Sequence, residues 1–346
     1  MPGYRERQSN FELLRLVAMF LVLTLHGYGV ALGLPLKEDF QISPLTASAR
    51  TIIESFSIVC VNVFVLISGW FGIKPSIKGF ASFIFQCLFF SVCVTVVAPL
   101  LGIGDALSLS DIGGMFFLGK YYYWFVRCYL CLYILAPVLN AFIQSAGKKT
   151  YIIVLAGLFA IQTVYGWTGS MIDFDRGYSV LSFVGLYLLA RYVKLHGGAL
   201  FSLNKWADLA IYIGLSLILA VAYYTAVVLD LEEVSSHLFV YINPQVIASA
   251  LFLLLFFSKI DFRSKAVNYI ARSAFAVYLL HLNVKVWDSF LDTCFRFYAG
   301  NGFPRAFFTI LLFILSLFAV AILIDQIRLL LWKPFEKLLE KRHTAQ

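Results

Sequence analysis

The first apolar stretch of the chain contains two residues suited to chemistry, Arg15 and His26. Because an α-helix turns by about 100° per residue, their spacing places both side chains on one face of a helix. A rise of about 1.5 Å per residue separates them by about 16 Å, so they lie at different depths. An arginine fork binds phosphate oxygens, and a histidine transfers protons near neutral pH. The pair therefore suits a phosphate-bearing donor at one end of the helix and proton transfer further along.

Each of these residues also has a structural interpretation. Arg15 is one turn from Glu12, so it can form an ion pair there while its aliphatic stem lies along apolar surface. His26 can form a hydrogen bond between neighbouring helices. The sequence leaves these interpretations open beside the catalytic one.

The composition predicts the setting of this helix. Of 346 residues, 61% are hydrophobic and only 13% are charged, whereas a soluble domain usually carries about 25% charged residues. The apolar runs are continuous and lack the alternation of a lipid-facing β-strand. We therefore expect an all-α polytopic membrane protein, with residues 1–346 forming a single integral membrane domain and no fused soluble domain.

Ten apolar segments are long enough to cross a hydrocarbon core of roughly 30 Å, which takes about 20 helical residues. The predicted spans are 11–31, 50–72, 80–101, 123–144, 150–168, 178–195, 206–228, 239–258, 266–286 and 304–328. Lysine and arginine gather in alternate gaps, and such residues mark the cytoplasmic side. This pattern places both termini in the cytoplasm and predicts a multi-pass protein of the cytoplasmic (inner) membrane. The net charge of +8 is thus explained by the basic residues of the cytoplasmic side, and it requires no nucleic acid partner.

Basic residues at the predicted cytoplasmic ends of the spans have more than one possible role. Lys74 and Lys78 follow the second span and can attract phosphates as point charges. Both lysines are equally explained as positive loop residues that mark the cytoplasmic side. In the last span, Asp325 is expected to pair with Arg328, its i+3 neighbour.

Several residues near the predicted outer ends are candidates for binding an acceptor. Arg127 lies close to Trp124 in the sequence, and it can orient a sugar or anchor the helix at the membrane interface. Glu54 lies about one turn into the second span. His281 and Lys285 share a helix face by their spacing. Polar groups within a membrane are costly, which makes each of them a functional candidate.

The order of these motifs resembles the acyltransferase-3 family of bacterial membrane O-acyltransferases. The resemblance rests on Arg15, ten residues and then His26, and on the segments 62–70, 123–129 leading to Pro137, and 273–281. It implies acyl-coenzyme A, such as acetyl-CoA, as a cytoplasmic co-substrate, with no permanently bound cofactor. It also implies a glycan or lipid-linked sugar acceptor and Arg15 with His26 as the catalytic pair. Many members continue past the Ser-Gly motif with an Arg-x-x-Arg pair, whereas this chain has Lys74 and Lys78 there.

The sequence therefore predicts a membrane O-acetyltransferase-like enzyme that modifies a cell-envelope polysaccharide, either by direct transfer or through an acylated histidine. A secondary transporter or lipid-linked sugar flippase also explains ten helices with buried charges. A structural or assembly subunit is a third possibility. The five histidines lack paired metal-ligand spacing, so no metal site is expected. The acyl group, the acceptor hydroxyl and the oligomeric state are not specified by the sequence.

Overall fold

The computed structural model describes residues 8–116, 123–167 and 174–344, and these ranges are helical without β-strands. The α-helices are α1 (Ser9–Thr24), α2 (Lys37–Ile42), α3 (Pro44–Ser57), α4 (Cys60–Phe71), α5 (Ile77–Leu100), α6 (Leu109–Met115), α7 (Trp124–Ser145), α8 (Lys148–Trp167), α9 (Val180–His196), α10 (Gly198–Phe201), α11 (Lys205–Val228), α12 (Glu232–Leu238), α13 (Pro244–Ser258), α14 (Lys265–Ala271), α15 (Ala274–His281), α16 (Trp287–Ala299) and α17 (Phe303–Thr344). A π-helical turn over Leu25–Val30, here called the π-turn, continues α1.

Seven described helical stretches are long and apolar enough to cross a membrane, which confirms an all-α, multi-pass membrane protein. They are Ser9–Val30, Pro44–Phe71, Ile77–Leu100, Trp124–Ser145, Lys148–Gly166, Lys205–Val228 and Phe303–Leu339. Two further predicted spans coincide with the shorter helices α9 and α13, of 17 and 15 residues. The count of ten spans and the cytoplasmic placement of the termini stay predictions.

The predicted span 266–286 is not one continuous helix. α14 ends at Ala271, and α15 begins at Ala274 after a turn. Within that turn Ser273 is buried, and its hydroxyl accepts a hydrogen bond of 3.2 Å from Gln326. Serine side chains find hydrogen bonds in non-helical conformations. An apolar pattern does not reveal this interruption, because the residues on both sides stay hydrophobic.

The chain divides into two compact units. The first comprises Met1–Ile73 with Cys128–Ala271, and the second comprises Lys74–Arg127 with Arg272–Gln346. In the first unit α4 packs against α1, α9 and α13, while α11 packs against α3 and α13. The assignment of residues 1–346 to a single domain stays a prediction.

The contact between α4 and α9 is unusually close at Gly69. A Cβ atom at this position would lie 2.3 Å from the carbonyl oxygen of Tyr187, so a larger residue would push the two helices apart. Small residues allow such backbone approach between membrane helices. This contact fixes the end of α4, which carries Trp70 and Phe71, against α9.

Buried ion pairs stabilise the second unit. Arg328 binds Asp325 through two hydrogen bonds of 2.9 Å each, which confirms the predicted i,i+3 pair. The ammonium group of Lys285 lies 2.8 Å from a carboxylate oxygen of Asp111 and 3.0 Å from the carbonyl oxygen of Ala106. The segment before and within α6 is thereby tied to the turn that follows α15.

A buried ion pair also stabilises the first unit. Asp208 on α11 is fully buried, and its carboxylate oxygen lies 2.6 Å from the ammonium group of Lys259. The same ammonium group donates hydrogen bonds to the carbonyl oxygens of Leu200 and Leu203. Because the three contacts come from α11 and the segment before it, Lys259 joins the end of α13 to this region.

We expect Lys259→Met to destabilise the protein by about 3 kcal/mol, because removal of one partner leaves the charge of Asp208 buried and uncompensated. Thermal or denaturant unfolding in detergent measures this change. The double variant Asp208→Leu/Lys259→Met should recover most of the loss, since it removes the charge as well. Lys149→Met, at an exposed position, is the control. Equal stability of Lys259→Met and wild type would contradict the importance of the pair.

Candidate functional site

At one end of α1, Arg15 is held by a carboxylate and an aromatic ring. Its guanidinium lies 2.5 Å from a carboxylate oxygen of buried Glu12, so the pairing that the sequence left open is present. The guanidinium carbon lies 6.0 Å from the centre of the Phe71 ring. The Arg15 side chain is 33% exposed, and a guanidinium carries five N–H donors. The contact with Glu12 therefore positions Arg15 and leaves donors for a second anion.

His26 lies in the π-turn at the other end of α1. The backbone N–H of Ala31 donates to the carbonyl oxygen of His26 at 2.9 Å, five residues back rather than four. Such π-helical turns occur inside longer helices, frequently at functional sites. The side chain of His26 is half-buried. The predicted common face of Arg15 and His26 assumed a regular α-helix. The structure departs from α-helical geometry at Leu25, one residue before His26.

Two side chains of α3 contact the π-turn and the residues that follow it. The Arg50 guanidinium donates to the carbonyl oxygens of Leu32 and Gly33 at 2.8 and 2.6 Å. One turn later, the carboxylate of Glu54 packs so closely on Gly29 that a Cβ atom there would lie 2.0 Å from its Oε2 atom. Glycine at position 29 is therefore required for this approach.

Glu54 is buried, with only 7% of its surface exposed to solvent. No described residue donates a hydrogen bond to its Oε2 atom. Buried carboxylates are normally paired or hydrogen-bonded. A carboxylate oxygen that is buried without a donor beside a helical turn is a candidate for binding a ligand hydroxyl.

Three tyrosines lie within electrostatic range of this carboxylate. They are Tyr178, Tyr223 and Tyr241. The rings of Tyr178 and Tyr241 are 5.3 Å apart between centres, and Asn62 donates to the Tyr241 carbonyl oxygen at 2.9 Å. Phenolic hydroxyls both donate and accept hydrogen bonds. The region around Glu54 is therefore rich in groups that bind hydroxyls.

The lysines proposed as donor contacts belong to the second unit. Lys78 lies 2.8 Å from a carboxylate oxygen of Glu336, while Lys74 is exposed. Arg127 and Trp124 lie in the first turn of α7, and both are half-buried. Their roles stay predictions.

His281 has the surroundings of a packed core residue. It is fully buried, its Nδ1 lies 2.7 Å from the Val277 carbonyl oxygen, and its ring centre is 5.8 Å from that of Phe290. The predicted helix face shared by His281 and Lys285 is wrong, because α15 ends at His281 and Lys285 lies in the turn that follows, where it is paired with Asp111. Burial by itself would raise the pKa of Asp111, but hydrogen bonds from Lys285 and the nearby serine outweigh burial and lower it. These contacts favour a structural role, and an acceptor role for His281 stays a prediction.

The structure places three of the predicted site residues in the first unit. These are Arg15 and His26 on one helix and Glu54 beside the π-turn. Sequence reasoning missed two cations of α9, Arg191 and Lys194, which it counted only among the basic residues of the cytoplasmic side. Their i,i+3 spacing on one helix face was the available signal.

Comparison with known proteins identifies the family of the chain. A family model described as an acyltransferase domain matches residues 8–325. No curated protein and no solved structure matches the chain. The matched region covers far more than half of the 346 residues and includes Arg15, His26 and Glu54. The chain therefore belongs to the acyltransferase-3 family and is a membrane acyltransferase of that family.

Proposed function

We propose that this acyltransferase moves an acyl group, with acetyl as the expected one, from acyl-coenzyme A to a hydroxyl of a cell-surface or lipid-linked glycan at the inner membrane. The observation that carries the proposal is the arrangement along α1. One end presents a cation suited to phosphate, and the other presents a histidine in a π-turn. A buried carboxylate packs on that turn.

Arg15 is the proposed donor contact. Coenzyme A esters carry phosphates, and a guanidinium binds phosphate oxygens in a bidentate manner. The hydrogen bond from Arg15 to Glu12 restricts the guanidinium, so less conformational freedom is lost when a phosphate binds. Lys74, which is exposed, and Lys78, which is paired with Glu336, are weaker donor contacts.

His26 is the proposed base. Its imidazole takes the proton of the acceptor hydroxyl as the oxygen attacks the thioester carbonyl carbon. The carbon–sulfur bond then breaks, and the imidazolium returns the proton to the departing thiolate, which leaves as the free thiol. Alternatively, the imidazole attacks the thioester carbonyl carbon itself, the carbon–sulfur bond breaks, and the thiolate leaves with the imidazole proton as the free thiol. The acceptor hydroxyl then attacks the acylated histidine, and its proton returns to the imidazole as the acyl–nitrogen bond breaks. Both routes require a histidine that is neutral before transfer.

Glu54 is the proposed acceptor contact in the first unit. Its Oε2 atom can accept a hydrogen bond from a sugar hydroxyl, and that hydroxyl would satisfy a buried atom that no described residue satisfies. The tyrosines within electrostatic range of Glu54 add further donors and acceptors. Arg127, Trp124 and His281 are weaker acceptor contacts, proposed from the sequence alone.

We expect His26→Gln to reduce acyl transfer by about 100-fold or more, because the general base or nucleophile is lost. The fold should survive, since one hydrogen bond between membrane helices contributes only about 0.6 to 2 kcal/mol. Release of coenzyme A, measured in membranes that contain the acceptor, reports transfer, and unfolding in detergent reports stability. His237→Gln, on α12, is the matched control. Wild-type turnover in His26→Gln would refute the assignment of His26.

Arg15→Lys should raise the KM for acyl-coenzyme A roughly tenfold, because the charge survives but the planar fork is lost. The value of kcat should change less, since this contact is made before and during transfer alike. Initial rates over a range of donor concentrations measure both constants. Arg296→Lys, at an exposed position of α16, is the control. An unchanged KM would leave Arg15 with a structural role only.

The proposed sidedness separates an enzyme from a transporter. With the N-terminus in the cytoplasm, the donor must enter from the cytoplasmic face, because a phosphate-bearing molecule does not cross about 30 Å of hydrocarbon unaided. In sealed vesicles of known orientation, donor supplied on the face that bears the N-terminus should support transfer, and donor on the opposite face should not. Transfer from the opposite face alone would reverse the orientation. Sugar movement without coenzyme A release would favour a transporter.

A further inference from the structure

We propose that Arg191 and Lys194 of α9 form, together with Arg15, a binding site for the phosphates of the donor's nucleotide half. This inference rests on the proposed function, in which acyl-coenzyme A is the donor. The site is built on the end of α4, at Trp70 and Phe71, within the first unit.

One aromatic ring brings two of the cations together. The ammonium group of Lys194 lies 5.1 Å from the centre of the Phe71 ring, and the guanidinium carbon of Arg15 lies 6.0 Å from the same centre. Lys194 is also 5.3 Å from the centre of the Trp70 ring. Cations over aromatic faces are favourable. The side chains of α1 and α9 therefore converge on a single surface at the end of α4.

Arg191 contacts the same helix end. Its Nη1 donates to the Trp70 carbonyl oxygen at 3.3 Å, and its guanidinium lies against Gly72. The adjacent backbone is fixed, because the Tyr187 hydroxyl accepts a hydrogen bond from the Ile73 N–H at 3.0 Å. The half-buried Arg191 side chain is thus held in one place rather than free to extend into solvent.

Positive charges gathered at one helix end repel one another unless anions compensate them. Glu12 is paired with Arg15, and no described carboxylate forms an ion pair with Arg191 within 4 Å. A guanidinium with one hydrogen bond to a carbonyl oxygen keeps further N–H donors for an oxyanion. The arrangement is that of a phosphate site, with planar donors from arginine and a point charge from lysine.

The requirement for positive charge on the cytoplasmic side does not account for this arrangement. Charges that mark the cytoplasmic side need only lie near the ends of the spans, as exposed Lys148 and Lys149 do. Arg191 instead bonds to the backbone of another helix, and Lys194 stacks on its aromatic side chains. Coenzyme A carries all its phosphates in the nucleotide half, whereas the pantetheine half carries none, so the two halves can be tested separately.

The test compares acetyl-coenzyme A with S-acetylpantetheine, which has the same thioester and no phosphate. Arg191→Gln and Lys194→Gln should each raise the KM for acetyl-coenzyme A roughly tenfold, and the double variant should raise it further. The KM for S-acetylpantetheine should stay at the wild-type value. Lys149→Gln is the matched control, since it removes one charge at an exposed position of the same unit.

A second measurement uses adenosine 3′,5′-bisphosphate, the phosphate-bearing fragment alone. It should inhibit the wild-type enzyme in competition with acetyl-coenzyme A and inhibit the variants roughly tenfold more weakly. Activity with S-acetylpantetheine shows that each variant is folded, and Lys194→Gln covers the case in which Arg191→Gln does not fold. Equal loss with both donors, or unchanged KM values, would overturn the phosphate site while the proposed function stands. A wild-type protein that consumes neither donor would overturn the proposed function and this inference with it.

Discussion

Charge among apolar helices must be compensated, and this constraint accounts for the buried ion pairs within the two units. Asp208 meets it with Lys259, and Asp325 meets it with Arg328, each at hydrogen-bonding distance. These pairs are buried and join or brace helices. Glu54 is the contrasting case, because it is also buried, its Oε2 atom has no described donor, and no described cation forms an ion pair with it. Because the fold provides a cation for Asp208 and for Asp325, the absence of a described ion pair at Glu54 points to a ligand as its partner.

The end of α4 positions the cations that are proposed to bind the donor in the first unit. Close approach at Gly69 presses α4 against the backbone of α9 at Tyr187. Because Trp70 and Phe71 follow directly, their rings are held between α1 and α9, where Phe11 also packs on both of them. A rigid aromatic surface is a suitable base for cations that must bind a phosphate without first becoming ordered. The backbone contact of two helices thereby determines where Arg15 and Lys194 meet.

The sequence was informative where the relevant spacing is local. The long apolar runs predicted most of the membrane-spanning helices, and the i,i+3 spacing predicted the pair of Asp325 and Arg328. Hydropathy does not distinguish an α-helical turn from a π-helical one, so the geometry at His26 was not foreseen. The convergence of Arg191 on the end of α4 depends on a contact between residues 121 positions apart. No local pattern carries such information.

The π-turn shows how tertiary contacts maintain a locally unfavourable segment. Gly27 and Gly29 lie within its six residues, and each glycine in a helix costs about 1 kcal/mol relative to alanine. Arg50 compensates by binding the carbonyl oxygens that follow the turn, and the absence of a side chain at Gly29 admits the carboxylate of Glu54. Local sequence and global fold usually agree, and the places where they conflict are often functional sites. The conflict here falls on the turn that carries His26, which is where the proposed chemistry requires a base and an acceptor contact on neighbouring helices.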